Sequence, residues 1–248
     1  MTKVLLIARR ELGAYLRSPA GYIIASLMLL LDGILFYLDP FRLGRGALGR
    51  GAKLSSDVLE GFFFNASGVT MLACVLFSMR LLAEERQTGT IVLLYTSPVS
   101  EREVVLGKYL SALALFAVMT LLTVYMPALI FVNGKVSIGH ILSGYLGLLL
   151  LGSATLSIGL FASSLTRIQV LAAILATAMV ALMLLLWVIG QATDEPFSEV
   201  LASLALHNRR FLPFQKGIVE VANVGYYLAV SYVFLLATSK VLESRRWR

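Results

Sequence analysis

The nearest approach to nucleotide chemistry in this chain is Gly107-Lys108-Tyr109. A phosphate loop of the G-x-x-x-x-G-K-[ST] type needs a serine or threonine hydroxyl after its lysine to hold magnesium, and Tyr109 does not supply that arrangement. The chain is therefore expected not to hydrolyse ATP by itself. No H-E-x-x-H, G-x-S-x-G or C-x-x-C is present. His140 and His207 stand apart from other ligand types and read as boundary residues, not metal ligands. The single cysteine, Cys74, lies in an apolar run, so neither an internal disulfide nor a thiolate metal site is expected. Asp32 is different. It sits between Leu31 and Gly33 inside an apolar run, where an ionisable group is costly and faces a bundle interior or a wet cavity. It is a candidate path or switch residue, touching substrate or responding to protons. A hydrogen-bonded structural acid, or one close enough to the outer face to reach water, is the equal alternative.

The elements that would position these residues are membrane spans. The composition is 58% hydrophobic and 14% charged, against about 25% charged in an ordinary soluble domain. No soluble fold hides that much apolar surface. Spanning hydrocarbon takes about twenty mostly apolar residues, and six runs meet that demand: Gly21–Leu38, Phe62–Leu82, Val104–Val132, Ile141–Leu165, Ile168–Ile189 and Ala222–Val241. The expected fold is an all-α integral membrane protein forming one transmembrane domain over residues 1–248. An even number of spans puts both termini on one side. With that side cytoplasmic, thirteen of the 21 basic residues lie inside, including Arg9, Arg10 and the Arg245–Arg248 tail. That is the orientation the positive-inside tendency favours. The net charge of +7 is then explained by topology and anionic lipid, and no nucleic-acid partner is expected. A cleavable leader is not expected, because residues 1–20 precede the first apolar run and no A-x-A-like site follows it.

Outside the spans, Leu5, Ala8, Leu12, Tyr15 and Leu16 form a helical apolar stripe within residues 1–19, ended by Ser18-Pro19. A basic amphipathic helix of this kind lies in the membrane interface, unless its charges serve only to set topology. Asp39–Gly61 is expected as an outer loop, its glycines and arginines giving either flexibility or an anion cradle. Residues 190–221 form a second outer segment, with a short helix over Phe197–Leu206 and a chain break at Leu212-Pro213-Phe214. Asn65, Ser67 and Thr70, with Ser153, Thr155 and Ser157, serve packing or line a path. Gly159/Ser163 and Ala172/Ala176 have the small-xxx-small spacing that lets helices approach closely. Pro127 is expected to bend or end the third span.

The most informative segment is 84–103, between spans two and three. It reads Glu84-Glu85-Arg86-Gln87-Thr88-Gly89-Thr90-Ile91-Val92-Leu93-Leu94-Tyr95-Thr96-Ser97-Pro98-Val99-Ser100-Glu101-Arg102-Glu103. Its apolar part is too short to span, which predicts a short helix ending before Ser97-Pro98. Ser100 with Glu103 is a capping-box pattern that would start span three. Exposed leucines on a surface helix need a cover, either lipid headgroups or another protein. A loop that merely connects two spans is the plainer alternative.

This stretch, through Leu106-Gly107-Lys108, resembles the coupling segment of ABC-2 type transporter permeases. The similarity is greatest to the branch associated with gliding motility and multicopper-enzyme maturation. Ala8-Arg9-Arg10-Glu11-Leu12-Gly13-Ala14-Tyr15 through Ser18-Pro19 agrees, as do His207–Gly217, Tyr226-Tyr227-Leu228 and Leu242–Trp247. The resemblance implies an interfacial N-terminal helix, six spans, a short cytoplasmic coupling helix and small outer helices between spans five and six that partly re-enter the membrane. It also implies two permease copies, or a pair of similar permeases, joined to two copies of a separate ATP-binding subunit that holds ATP and magnesium. On this footing Ile91, Leu93 and Leu94 are candidate docking residues. Glu84, Glu85 and Arg86 would form a polar rim or hinge and Gly89 a bend, and Thr90, Ser97 and Pro98 belong to the same set of coupling candidates. The implied function is ATP-driven export or extrusion across a bacterial inner membrane. The rival is a force-transmitting or assembly component working with accessory envelope proteins of a gliding or pilus apparatus.

Overall fold

The computed structural model describes residues 3–46, 55–90, 99–133, 137–193 and 197–246. Among the described residues the chain is helical, without strands, and six helical stretches are long and apolar enough to cross a membrane. The fold class expected from the sequence is the one found.

Helix α1 (Lys3–Arg17) lies against the start of the third span and buries Tyr15. The chain turns into α2 (Pro19–Gly46) through Ser18, with proline at the first helical position, where its missing N–H is harmless. The corner is tight: a side chain at Gly21 would stand 2.5 Å from the Tyr15 carbonyl. α2 and α3 (Ser55–Ser78) extend well into the expected outer loop Asp39–Gly61, and residues 47–54 lie outside the described residues. Asp57 in the first turn of α3 complements the helix dipole there, which helps the helix begin so early.

α3 ends in a turn over 79–82, and α4 (Ala83–Gln87) continues from it. The third span is also broken. α5 (Glu101–Leu122) starts at the expected capping box, with Ser100 Oγ accepting from Glu103 N and Glu103 Oε2 accepting from Ser100 N. It stops at Thr123-Val124, and α6 (Tyr125–Asn133) follows. The cause is Pro127, whose ring excludes the carbonyl four residues back, that of Thr123. The break therefore precedes the proline by a turn.

α7 (Ile138–Leu165) is the axis of the bundle. Its apolar window is 83% buried, against 17% for α8 (Gln169–Gln191) and 22% for the last span. Its glycines are the reason it can be surrounded. Side chains at Gly144, Gly152 and Gly159 would overlap Phe63, Phe116 and Ser78, each at 2.2 Å or less. The small-residue spacing in this span thus serves close helix contact. α9 (Phe197–Leu204) packs on α8, and α10 (Asn208–Gln215) wedges against α7 and α3 with Phe211 and Phe214 fully buried. Pro213 does not break the chain as the sequence predicts; it lies inside α10. This helix is so short that the proline removes little internal hydrogen bonding, and its end is closed independently. Gly217 (φ +81°) sends its N–H to Phe214 O, and Ile218 N–H reaches Pro213 O at 2.9 Å, a Schellman closure. α11 (Val221–Arg246) then runs along α7.

Candidate functional site

The segment 84–103 leaves the bundle at the end that carries both termini. Its docking candidates Ile91, Leu93 and Leu94, and the helix-end residues Ser97 and Pro98, lie outside the described residues, as does the short helix expected over them. The described flanks are tied into the fold by side chains from three other elements.

The first tie is at the break between α3 and α4. The turn interrupts the helical ladder there, and a backbone group left bare in an apolar setting is costly. Ser163 of α7 meets three backbone groups at this break. Its hydroxyl accepts from Leu82 N (3.1 Å) and Ala83 N (2.9 Å) and donates to Met79 O (3.1 Å). Arg86 Nη1 donates to the carbonyl of the next residue, Ser164. Span four therefore holds the point where span two passes into segment 84–103.

The second tie is ionic. Lys108, in the second turn of α5 and 2% exposed, sends Nζ to Glu11 Oε2 of α1 at 3.1 Å and to Glu85 Oε1 of α4 at 2.9 Å. Arg10 closes the cluster from the surface, 2.9 Å from Glu11 and 3.9 Å from Glu85. Burial by itself pushes the Glu11 carboxyl up, but Lys108 and Arg10 outweigh it and hold it below the ordinary carboxylate range. The hydrogen bond to Glu11 in turn raises the Arg10 guanidinium. Beside this cluster, Arg80 grips Glu84 through two 2.9 Å bonds and reaches Ser18 Oγ at 3.3 Å. The Tyr15 hydroxyl donates to Phe77 O at 3.0 Å, and its burial raises it. Glu11, Tyr15, Arg80, Glu84, Glu85 and Lys108 line a cavity of about 310 Å³, which Thr88 and Thr90 also border. Thr88 Oγ1 donates to Glu84 O at 2.9 Å and lies 3.0 Å from Thr90 Oγ1. Gly89, between them, has φ +74°, a left-handed conformation natural to glycine at a bend.

The structure thus sets Glu84, Glu85 and Thr90 on this cavity, with Arg86 turned to the end of α7 and Gly89 at the bend. It also adds Arg10, Glu11, Lys108 and Ser163, which reading the sequence for sites does not pick out. A signal for Lys108 was available: a lysine well inside an apolar span needs a partner. Nothing local names that partner.

Asp32 is not part of this site. It is 3% exposed on α2, and its Oδ1 has no hydrogen-bond partner among the described residues. Its neighbour Gly33 faces Met126 of α6. The histidines lie near the opposite end. His207 bridges Ser67 Oγ (2.6 Å) and Asn208 Oδ1 (3.0 Å), and burial lowers it below its ordinary value despite the Asn208 bond. His140 Nε2 meets the Gln215 carbonyl. Among the described residues no three His, Cys, Asp or Glu side chains gather as a metal site would require.

A family model described as ABC-2 family transporter protein matches residues 5–199, which run from α1 through segment 84–103 and five spans into α9. No curated protein matches the chain.

Proposed function

The chain belongs to the ABC-2 family of transporter proteins, and from that premise we propose that it is the permease subunit of an ATP-driven exporter. Two copies, or one copy with a similar permease, form the path, and two copies of a separate ATP-binding subunit hold ATP and magnesium. The membrane is a bacterial inner membrane with both termini in the cytoplasm. The permease exports or extrudes its substrate outward.

The observation that carries this reading is how segment 84–103 is mounted. Spans two and three both begin or end at it: α4 continues from α3 across the Ser163-held turn, and α5 starts at Ser100. A subunit docked on residues 91–98 and displaced by nucleotide binding would pull both spans at their ends. Through Ser163 and Arg86 it would also act on α7, around which the bundle is built. Such a displacement shifts the membrane conformation only as far as the docked subunit binds one conformation more tightly than the other. No step of nucleotide chemistry falls to this chain.

The test is affinity purification of the tagged chain from its host in mild detergent. A phosphate-loop ATPase should co-purify at about one per permease, the ratio expected for a symmetric assembly. It should be lost when Leu93 and Leu94 are both changed to aspartate. A folded, monodisperse permease that brings down no ATPase would overturn the proposal. ATPase stimulation without solute movement in vesicles would instead favour the force-transmitting role.

A further inference from the structure

We propose that Lys108 is a positioning residue for energy coupling: it clamps the interfacial helix α1 to both flanks of the docking segment, so that the three move as one body. The inference rests on the permease reading above and assigns a transmission part within it.

The geometry is specific. The chain leaves α4 after Gln87 and re-enters the bundle at Ser100, so Glu85 and Lys108 stand on opposite flanks of the segment between. Their 2.9 Å ion pair closes the base of that segment. Glu11 reaches the same ammonium from α1 at 3.1 Å. Lys108 is thus a buried cation shared by two carboxylates from two separate elements. All three are sheltered, at 2%, 14% and 15% side-chain exposure for Lys108, Glu11 and Glu85, so water and salt screen them less than a surface pair. Without the ammonium, the only cation left between the two carboxylates in this cluster would be Arg10, which is 70% exposed and only 3.9 Å from Glu85, a weak and solvent-screened link between α1 and α4.

The residue before it is fitted to the same purpose. A side chain at Gly107 would stand 2.7 Å from Ile7 Cγ2 and 3.2 Å from Val4 O, so only glycine lets α1 lie this close to α5. The Gly-Lys pair that fails as a nucleotide loop is accounted for as a crossing point and its clamp. Farther along α1, Tyr15 bonds Phe77 O and Arg80 bonds Ser18, so the helix is held at two places and cannot pivot about one. A docked ATPase that moves the segment then carries α1 with it. Without the clamp the two flanks would shift against each other and leave α1 behind, so less of the motion would reach spans two and three together.

The test uses the full chain in nanodiscs with its co-purified ATPase. Wild type, Lys108→Met, Lys108→Arg, Glu11→Gln and Glu85→Gln are compared on three readings. These are ATPase bound per permease, permease-stimulated ATPase rate, and the spin-label distance between Arg9→Cys and Gln87→Cys in a Cys74→Ala background. Lys108→Met should bind ATPase within about threefold of wild type yet lose about tenfold in stimulated rate, a typical coupling free energy. Its α1–α4 distance distribution should broaden. Lys108→Arg, which keeps the cation, should restore both readings. Glu11→Gln should cost little more once Lys108 is gone, because the two act through one contact. The clamp is overturned if Lys108→Met stimulates like wild type, if its loss merely tracks lost ATPase binding, or if the distance distribution is unchanged. Should Lys108→Met aggregate, Glu11→Gln and Glu85→Gln carry the same comparison, since each breaks one arm and keeps the lysine. If wild type itself neither binds nor stimulates an ATPase, the permease reading falls. The distance measurement on the permease alone still decides whether Lys108 holds α1.

Discussion

At the scale of single residues, the site is built from polar groups that an apolar bundle cannot leave unpaired. Ser163 is the clearest case. One hydroxyl serves two amides and a carbonyl at the α3–α4 break, whereas the adjacent Ser164 hydroxyl only returns to Phe161 O in its own helix. Ser163→Ala should therefore destabilise the protein by about 1–3 kcal/mol, the cost of buried groups left unsatisfied. Ser164→Ala should change it by less than about 0.5 kcal/mol, since that bond is internal to the helix. Thermal unfolding in detergent and hydrogen exchange at residues 82 and 83 measure both. Equal effects of the two variants would refute the capping role. The ionic cluster follows the same logic at higher stakes, because removing one partner of a buried pair costs about 3–5 kcal/mol. The capping box at Ser100 was legible in the sequence because it is local. The partnerships of Ser163 with Ala83 and of Lys108 with Glu11 were not, since they join residues 80 and 97 positions apart.

At the scale of elements, the bundle depends on α7 presenting gaps where its neighbours present bulk. Gly159 is the tightest of these, since a Cβ added there would stand only 1.8 Å from Ser78 Oγ, while Gly225 on α11 has open space around it. Gly159→Ala should separate α3 from α7 and cost about 1–3 kcal/mol through overpacking. Gly225→Ala should be neutral or stabilise by about 0.5–1 kcal/mol, because alanine favours a helix over glycine. Unfolding midpoints of the two variants in one detergent compare them directly. If Gly159→Ala were as mild as Gly225→Ala, the close approach would carry no weight in the fold. Because α3 is also the span that becomes α4, loosening it should weaken coupling as well as stability. The elements themselves were mostly visible in the sequence. Their breaks were less so: Pro127 gave notice of one, and Pro213 gave notice of a break that does not occur.

At the scale of the whole molecule, α7 is enclosed while α2, α8 and α11 show most of their apolar surface outward. On α8, Val170, Ile174, Leu182, Leu185 and Val188 are all more than half exposed, as a face toward lipid or another permease requires. The proposed orientation gives a prediction at this scale. Single cysteines placed at the exposed Arg167 and Lys216, in a Cys74→Ala background, should react with an impermeant thiol reagent from opposite sides. In right-side-out vesicles Lys216→Cys should label and Arg167→Cys should not, and inverted vesicles should reverse this. Labelling of both from one side would contradict the six-span topology, and the opposite pattern would invert the assignment of the termini.

The sequence by itself determined the number and approximate extent of the spans, because the hydrocarbon thickness imposes a length that a one-dimensional count of apolar residues can meet or fail. It determined the start of α5 for the same reason, since a capping box is closed within four residues. It also marked 84–103 as the segment unlike the rest. Which span is central, and what secures that segment, only the tertiary structure decided. Spans that are apolar on every side carry little directional pattern, so hydropathy does not say which neighbours a helix meets. The contacts that matter join residues far apart: Lys108 with Glu11, Ser163 with Ala83, His207 with Ser67 across 140 residues. Each is selected by the need to satisfy a polar group inside the bundle, and that need names a partner only once the helices are assembled.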